Sequence, residues 1–128
     1  MIFGIGTDIV SVARIREGLE RHGERYAEHI LMPAELAELA SAHDPARFLA
    51  KRFAAKEAFS KAFGTGLRAP VTLHAIGVGH DELGKPHFEF DEAVAVLLRE
   101  SKLNTFLSIS DEKEYVVAFA IIEQHSRP

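Results

Sequence analysis

One segment in the middle of the sequence is compatible with only one kind of secondary structure. Residues 46–63 contain neither glycine nor proline and are rich in alanine, leucine and lysine, which favour a helix. Asp44 and Pro45 are typical of a helix start, and Gly64 is typical of a helix end. The sequence therefore predicts one long helix, against which the rest of the 128 residues must pack.

Shorter elements precede and follow this helix. Runs of Ile and Val predict strands, and apolar residues three or four positions apart predict helices. The order of elements indicates a single α+β domain over residues 1–128, with one long and several short helices packed on a mostly antiparallel sheet. Residues 125–128 are expected to fray. The predicted elements are strands at 2–10, 71–78, 87–90, 105–110 and 115–122, and helices at 12–22, 24–31, 33–42, 46–63 and from 92 to about 102.

The overall composition excludes several classes of protein. Apolar residues make up 47% of the chain and charged residues 27%, which argues against a disordered or fibrous chain. There is no cysteine, so disulfides, thiolate metal sites and cysteine nucleophiles are excluded. No apolar run approaches the roughly 18–20 residues that span a bilayer, and no signal peptide is recognised, so a cytoplasmic location is expected. The net charge of −4 does not suggest nucleic-acid binding.

Asp8 is the first candidate for a functional residue. Its carboxylate lies within an apolar strand, where an unpaired charge is costly to bury. One interpretation is that Asp8 caps the turn after the strand. The other is that it is a metal ligand or a general base, and an oxygen ligand of this kind suits Mg²⁺. Gly4 and Gly6, on the same face of the strand, would let another backbone or a ligand come close.

The long helix carries a second group of candidates. Its apolar stripe consists of phenylalanine and alanine, while Glu57 and Lys61 lie one turn apart on roughly the opposite side. Taken alone, these two residues would form a solvated ion pair. However, Arg52 and Lys56 point into the phenylalanine side, and alanines lie beside Glu57 and Lys61. This distribution predicts a helix that is enclosed on more than one side, which makes its charges candidates for a site.

The loop after the long helix is a third candidate. Gly64, Thr65 and Gly66 form a glycine-rich turn whose backbone amides could hold phosphate oxygens, provided that a cation such as Lys61 offsets the negative end of the helix. The alternative is a helix cap followed by a flexible loop. The seven His are scattered, which disfavours a histidine zinc site, and the sequence has no Gly-x-Ser-x-Gly motif.

Three stretches of the sequence together resemble one protein family. In these motifs, in length and in element order, the chain resembles the holo-(acyl-carrier-protein) synthases, the short bacterial type of 4′-phosphopantetheinyl transferase. The stretches are Gly6-Thr7-Asp8-Ile9-Val10 with Arg14-Ile15, then Arg52-Phe53-Ala54-Ala55-Lys56-Glu57-Ala58 with Lys61-Ala62-Phe63-Gly64-Thr65-Gly66, and the weaker Gly84-Lys85-Pro86.

The resemblance implies a reaction, a fold and a catalytic set. The family moves the 4′-phosphopantetheine arm of coenzyme A onto a serine of apo-acyl carrier protein, leaving adenosine 3′,5′-bisphosphate, in fatty acid biosynthesis. Its members have the 4′-phosphopantetheinyl transferase-like fold and work as homotrimers with sites at subunit interfaces. In this chain Asp8 and Glu57 would hold Mg²⁺, and Lys61 would neutralise diphosphate oxygens. Whether Glu57 also orients a water that accepts the serine proton is left open by the sequence.

The resemblance also implies which residues contact the substrates. The coenzyme would lie against Gly64, Thr65 and Gly66 with its diphosphate at Lys61, and Lys85 and Pro86 would lie near its adenine end. Arg14 and its helix would face the acidic carrier protein, and charge alone suggests that Arg16, Arg21 and Arg25 extend that surface.

One position departs from the family pattern, and two other functions stay open. Relatives often have a His where this chain has Phe106, so we expect Ser108 or Ser110 to line the pocket instead. The chain could be a non-catalytic protein that binds carrier protein or coenzyme A, although Asp8, Glu57 and Lys61 together argue against this. It could also be a Mg²⁺-dependent nucleotide phosphohydrolase, which uses similar residue types.

Overall fold

Two antiparallel sheets and five α-helices make up the computed structural model, which describes residues 1–125. This is the α+β class that the sequence predicts. Residues 126–128, which end the predicted domain and its fraying tail, lie outside the described residues. The elements are β1 (Ile2–Ser11), α1 (Val12–His22), α2 (Glu24–Ile30), α3 (Pro33–Leu39), α4 (Pro45–Phe63), a 3₁₀ turn (Leu73–Ala75), β2 (Ile76–His80), β3 (Pro86–Phe90), α5 (Glu92–Glu100), β4 (Leu103–Asp111) and β5 (Tyr115–Gln124).

The larger sheet has the strand order β1–β5–β4, and the smaller one pairs β2 with β3. In β1, successive side chains point to opposite faces, so Asp8 and the buried Val10 share the face that α4 covers. Ile5 and Ile9 point the other way and are exposed. The larger sheet therefore has one face packed on the long helix and one open face that is rich in apolar side chains.

Helix α4 is the predicted long helix, and its ends are those that the sequence indicates. The Asp44 side chain accepts a hydrogen bond from the Arg47 amide at the first turn, and Gly64 ends the helix with a left-handed φ of 95°. Its buried residues lie all around the helix and include Arg52 and Lys56, which confirms that α4 is enclosed on more than one side.

Glycines in β1 let α4 lie directly on the larger sheet. A Cβ atom added at Gly4 would come 1.9 Å from the carbonyl oxygen of Ala62, and one at Gly6 would come 2.1 Å from that of Ala58. These contacts are with the helix backbone, which cannot move aside as a side chain can. Another backbone or a ligand was expected to come close to these two glycines, and the backbone of α4 does so. This contact fixes the distance between Asp8 and the helix.

The predicted strand at 71–78 is wrong in its first half. The strand begins only at Ile76, and residues 73–75 form the 3₁₀ turn. In this turn the carbonyl of Leu73 accepts a hydrogen bond from Lys56, and the His74 ring is bonded to the carbonyl of Glu28. The amides of Val71, Thr72 and Ala75 are bonded to carbonyls two or three residues earlier, as in turns, so local β-propensity does not decide the conformation here. Within residues 1–125, no helix has the length and apolar character needed to cross a membrane.

Candidate active site

The two acidic candidates converge on one cleft. Asp8 reaches the cleft from the end of β1, and Glu57 reaches it from the middle of α4, because Gly6 lets the two elements touch. Both side chains line an open cleft of about 440 Å³. The other residues that line it come from β1 and from α1, α2 and α4: Ile9, Val10, Ser11, Arg14, Ile15, Glu17, Gly18, Arg21, His22, Tyr26 and Phe53.

Lys61 lies one helical turn beyond Glu57 and is bonded to Asp8. Its Nζ atom donates to Asp8 Oδ1 at 3.0 Å and to the carbonyl oxygen of Thr7 at 3.0 Å. The Lys61 side chain is 52% exposed, whereas that of Asp8 is only 17% exposed. The ammonium group therefore neutralises a carboxylate that is mostly shielded from water, while part of it stays open to solvent.

Glu57 is the carboxylate whose ionisation the site disfavours. Burial raises the pKa of Glu57, the negative charge of Asp8 raises it further, and Lys61 partly offsets both effects. Two acidic groups that face one cleft are oxygen donors of the kind that Mg²⁺ takes, and this cation usually keeps waters or phosphate oxygens in its remaining positions. Within residues 1–125 there is no cluster of three or more His, Asp or Glu side chains that could form a complete protein cage. The donor set thus fits Mg²⁺ held by two carboxylates.

The predicted carrier-protein residues lie beside this cleft, with one exception. Arg14 and Arg21 line it, and Arg25 lines an adjoining depression together with Arg21 and Tyr26. Arg16 points elsewhere, since its guanidinium donates to Asp44 at 3.1 Å. Arg14, Arg21 and Arg25 therefore lie at one side of the carboxylates and are called the basic border below, although Glu17 also lines the cleft there.

The residues expected to touch the coenzyme do not line the cleft within one chain. Gly64, Thr65 and Gly66 are exposed beyond the end of α4, and Lys85 is exposed in the turn before β3. Ser108 and Phe106 are exposed on the open face of the larger sheet, and Ser110 is exposed on the same strand. The single chain thus brings together Asp8, Glu57 and Lys61 but leaves the other predicted contacts apart from them.

Sequence reasoning missed one feature behind α4 and one in the cleft. Glu35 is buried and ion-paired with Lys56 and Arg52 behind α4. Gly18 lies in α1 under the ring of Tyr26, where an added Cβ would come 2.3 Å from the ring. A glycine inside an amphipathic helix costs stability, so the presence of Gly18 in the sequence indicates close packing at this position. Glu35 carries no such signal.

Comparisons with known proteins agree on one family. A model of the 4′-phosphopantetheinyl transferase superfamily matches residues 4–120. A holo-(acyl-carrier-protein) synthase of Azoarcus sp. (strain BH72) is 59% identical to this chain, over 96% of the chain and 98% of that protein. The crystal structure of the synthase from Neisseria meningitidis has a TM-score of 0.93 and 50% identity, covering 97% of this chain and 100% of that one. The synthase from Bacillus anthracis, in complex with CoA (3′,5′-ADP), has a TM-score of 0.81 and 35% identity, covering 98% and 99%.

Proposed function

Since the chain belongs to the 4′-phosphopantetheinyl transferase superfamily and transfers the 4′-phosphopantetheine arm of coenzyme A to a serine of apo-acyl carrier protein, we propose that this transfer takes place in the cleft lined by Asp8 and Glu57. The observation that carries the proposal is the convergence of these two carboxylates, with Lys61 bonded to Asp8, beside a basic border. The proposal includes a role in fatty acid biosynthesis, as the resemblance implies, and the cytoplasmic location that the sequence analysis expects.

We propose that Asp8 and Glu57 hold Mg²⁺. Two supports are the donor set, which consists of carboxylate oxygens, and the raised pKa of Glu57, which a bound divalent cation would lower again. When bound, Mg²⁺ supplies positive charge to the diphosphate oxygens of coenzyme A.

In the reaction, the residues of the chain position the substrates and neutralise charge. The serine oxygen attacks the phosphorus that carries the pantetheine arm, the phosphoanhydride bond breaks, and adenosine 3′,5′-bisphosphate leaves. Such a transfer depends on positioning and on charge neutralisation more than on covalent help from the protein. Lys61, which stays half exposed, neutralises the diphosphate. The serine proton leaves to a water oriented by Glu57 or directly to solvent, and the two routes stay alternatives.

The coenzyme contacts belong to a homotrimer with sites at subunit interfaces. Gly64, Thr65, Gly66, Lys85, Pro86 and Ser108 would contact the coenzyme. The support is the open face of the larger sheet, where Ser108 is paired with Phe119 and lies among exposed apolar residues that a neighbouring subunit could cover. A subunit seated there would approach β1, which is the edge strand that carries Asp8. Residues that are apart within one chain would then meet between chains.

The basic border is the docking surface for the carrier protein. Arg14, Arg21 and Arg25 are all exposed, and α1 and α2 hold them next to the carboxylates. An acidic partner gains favourable charge contacts there, and its serine is brought close to the cleft. Arg16, bonded to Asp44, contributes less to this surface than the sequence suggested.

One incubation separates the transferase from its alternatives. The protein is mixed with coenzyme A, Mg²⁺ and apo-carrier protein, and the carrier protein is weighed by mass spectrometry. A gain that matches phosphopantetheine supports the transfer. Tight binding without a gain supports a binding protein, and release of free phosphate supports a phosphohydrolase. Asp8→Ala and Glu57→Ala should each greatly lower turnover in a folded protein, and a variant that keeps the wild-type rate across Mg²⁺ concentrations would remove that residue from the ligand set.

A further inference from the structure

Lys56 is a fully buried lysine that no step of the transfer uses. It is adjacent to Glu57, but its side chain points into the interior and has 0% exposure. Its ammonium group donates to the carbonyl oxygen of Ile30 at 2.6 Å, to Glu35 Oε1 at 2.7 Å and to the carbonyl oxygen of Leu73 at 3.0 Å. All three of its N–H donors therefore have a partner.

Glu35 completes this buried cluster from α3. Its Oε1 atom also accepts the amide of Met32 at 3.0 Å, and its Oε2 atom accepts the amide of Val78 at 3.0 Å and Arg52 at 3.1 Å. The carboxylate is thus bonded to the start of α3, to β2 and twice to α4. No buried side-chain nitrogen or oxygen in the part of the chain described here is left without a partner.

The two carbonyls that Lys56 binds belong to two segments, of which α2 contributes Tyr26 to the cleft and the other follows the proposed coenzyme loop. Ile30 ends α2, the helix that carries Arg25 and Tyr26. Leu73 begins the 3₁₀ turn that follows the loop Gly64–Thr72, whose first residues are the proposed coenzyme contacts. One ammonium group on α4 therefore binds both segments, and it belongs to the residue that precedes Glu57 in the sequence.

On the basis of the function proposed above, we propose that Lys56 and Glu35 are positioning residues for the transfer, which hold the loop Gly64–Thr72 and α2 in place against the helix that carries Glu57 and Lys61. A purely structural role would not require charges, because a well-packed apolar pair often stabilises a protein as much as a buried ion pair does. Apolar side chains, however, make no directed bonds to carbonyl oxygens. The charged pair thus fixes the positions of the Ile30 and Leu73 carbonyls, since a fully bonded buried network favours one arrangement.

The test is a variant that removes both charges together, Glu35→Gln with Lys56→Met. Removing both avoids an unpaired buried charge, and the glutamine keeps the size and an acceptor oxygen. We expect the KM for coenzyme A to rise about tenfold or more, with a smaller change in kcat. We also expect the hydrogen-bonded amides of this loop, those of Arg68, Val71 and Thr72, to exchange hydrogen faster than in the wild type. Wild-type KM values together with wild-type exchange in this loop would overturn the proposal.

A matched control separates positioning from loss of stability. Ile122→Val opens a small space in the core of β5, away from the cleft, and lowers stability without touching the buried pair. It should leave the KM for coenzyme A and the loop exchange unchanged. An equal rise in KM in this control would overturn the positioning role.

Two further measurements cover the remaining outcomes. Should the double variant fail to fold, Glu35→Asp is measured in its place, because aspartate keeps the charge that balances Lys56 but is too short to keep the same bonds. The expected effects have the same direction, and the same result would overturn the proposal. Should the wild-type protein fail to transfer phosphopantetheine, the proposed function is wrong. The exchange of the Arg68, Val71 and Thr72 amides in the variants still tests whether Lys56 and Glu35 hold the loop.

Discussion

The negative charge of Glu57 lies where it lowers the stability of the folded protein. Burial and the charge of Asp8 raise its pKa, so the folded state binds a proton on Glu57 more tightly than the unfolded state does. The contribution of this group to stability is therefore fully present below its unfolded pKa and is lost as the pH rises through the folded pKa. At neutral pH the ionised side chain opposes folding, as expected where function rather than stability selects a residue.

The first prediction follows from this sign. Glu57→Gln should raise the melting temperature by a few degrees at pH 7, because glutamine never carries the disfavoured charge. The gain should vanish below about pH 4, where Glu57 is protonated in both states. Adding Mg²⁺ should raise the melting temperature of the wild type more than that of the variant, since a ligand stabilises only a protein that binds it. Thermal melts at both pH values check this.

The control for this prediction is Glu17→Gln, which removes another carboxylate that lines the same cleft. It should change neither the melting temperature nor the effect of Mg²⁺ by a comparable amount. A Glu57→Gln protein that is less stable than the wild type at pH 7 would contradict the expectation.

The second prediction concerns Lys61 and the metal. Its ammonium group and a bound cation would both need Asp8, so the two compete for one carboxylate. Lys61→Met should therefore tighten the binding of Mn²⁺, a paramagnetic substitute for Mg²⁺, about two- to fivefold when no coenzyme is present, the range for a partly exposed ion pair. The same change should weaken the binding of coenzyme A. Electron paramagnetic resonance measures the first effect and calorimetry the second.

Lys51→Met is the matched control, because Lys51 is paired with Asp111 outside the cleft. Equal Mn²⁺ affinities of the two variants would show that Lys61 does not compete for the metal site.

At the residue scale, the sequence predicted the acids but not their support. Asp8 was predicted because an unpaired charge within an apolar strand is costly to bury, and Glu57 because its helix was predicted to be enclosed on more than one side. The burial of Glu35 was not predicted, since glutamate is common in the first turn of a helix. Its burial depends on Lys56 and Val78, which lie far away in sequence, so no local pattern indicates it.

At the element scale, the contact between β1 and α4 sets the geometry of the cleft. Gly6 permits it, because an added Cβ would come 2.1 Å from the carbonyl oxygen of Ala58 and 2.6 Å from the amide nitrogen of Ala62. The carboxylate of Asp8 and the side chains of α4 can meet only while this distance is kept.

The third prediction is that Gly6→Ala moves the helix. The added methyl group meets backbone atoms, so α4 must shift away from β1 at a cost of about 1–3 kcal/mol or more in stability. Because the shift also separates Asp8 from Lys61, transfer should fall more than stability alone explains. Denaturant unfolding and the initial rate of carrier-protein modification measure the two effects.

Gly79→Ala serves as its counterpart in the smaller sheet. A Cβ there would meet only the side-chain atoms of His87 and Glu89, which can move aside. This variant should stay close to the wild type in stability. If Gly6→Ala lowered stability and transfer as little as Gly79→Ala, the contact between β1 and α4 would not set the geometry of the cleft.

The same scale shows where local sequence patterns succeed and fail. Asp44, Pro45 and Gly64 marked the ends of α4 because caps act on neighbouring residues. Residues 71–75 were assigned to a strand because their composition favours one. Their amides instead form turn bonds to carbonyls two or three residues earlier, and remote contacts from Lys56 and to the carbonyl of Glu28 support this conformation.

For the whole molecule, the open face of the larger sheet is the feature that one chain does not explain. Ile9 is 63% exposed, Ile5 59%, Phe106 48% and Phe119 42%, and pairing across the strands places them on one surface. Apolar patches on a sheet face are typical of surfaces that another protein covers. The sequence indicated a homotrimer only through the resemblance, because the pattern of a single chain does not show which exposed residues another copy buries.

The last prediction is that this face joins the subunits. The wild-type protein should sediment at three times the 14.2 kDa of one chain. Phe119→Lys places a charge in the centre of the open face, on the middle strand β5, so it should give monomers of 14.2 kDa that retain their fold. Because the proposed coenzyme contacts meet only between subunits, transfer should fall with the trimer. Leu83→Lys, at a side chain that is 96% exposed in the turn before β3, should leave the mass unchanged. A wild-type mass of one or two chains would contradict the trimer, and a Phe119→Lys protein that stays trimeric would place the interface on another surface.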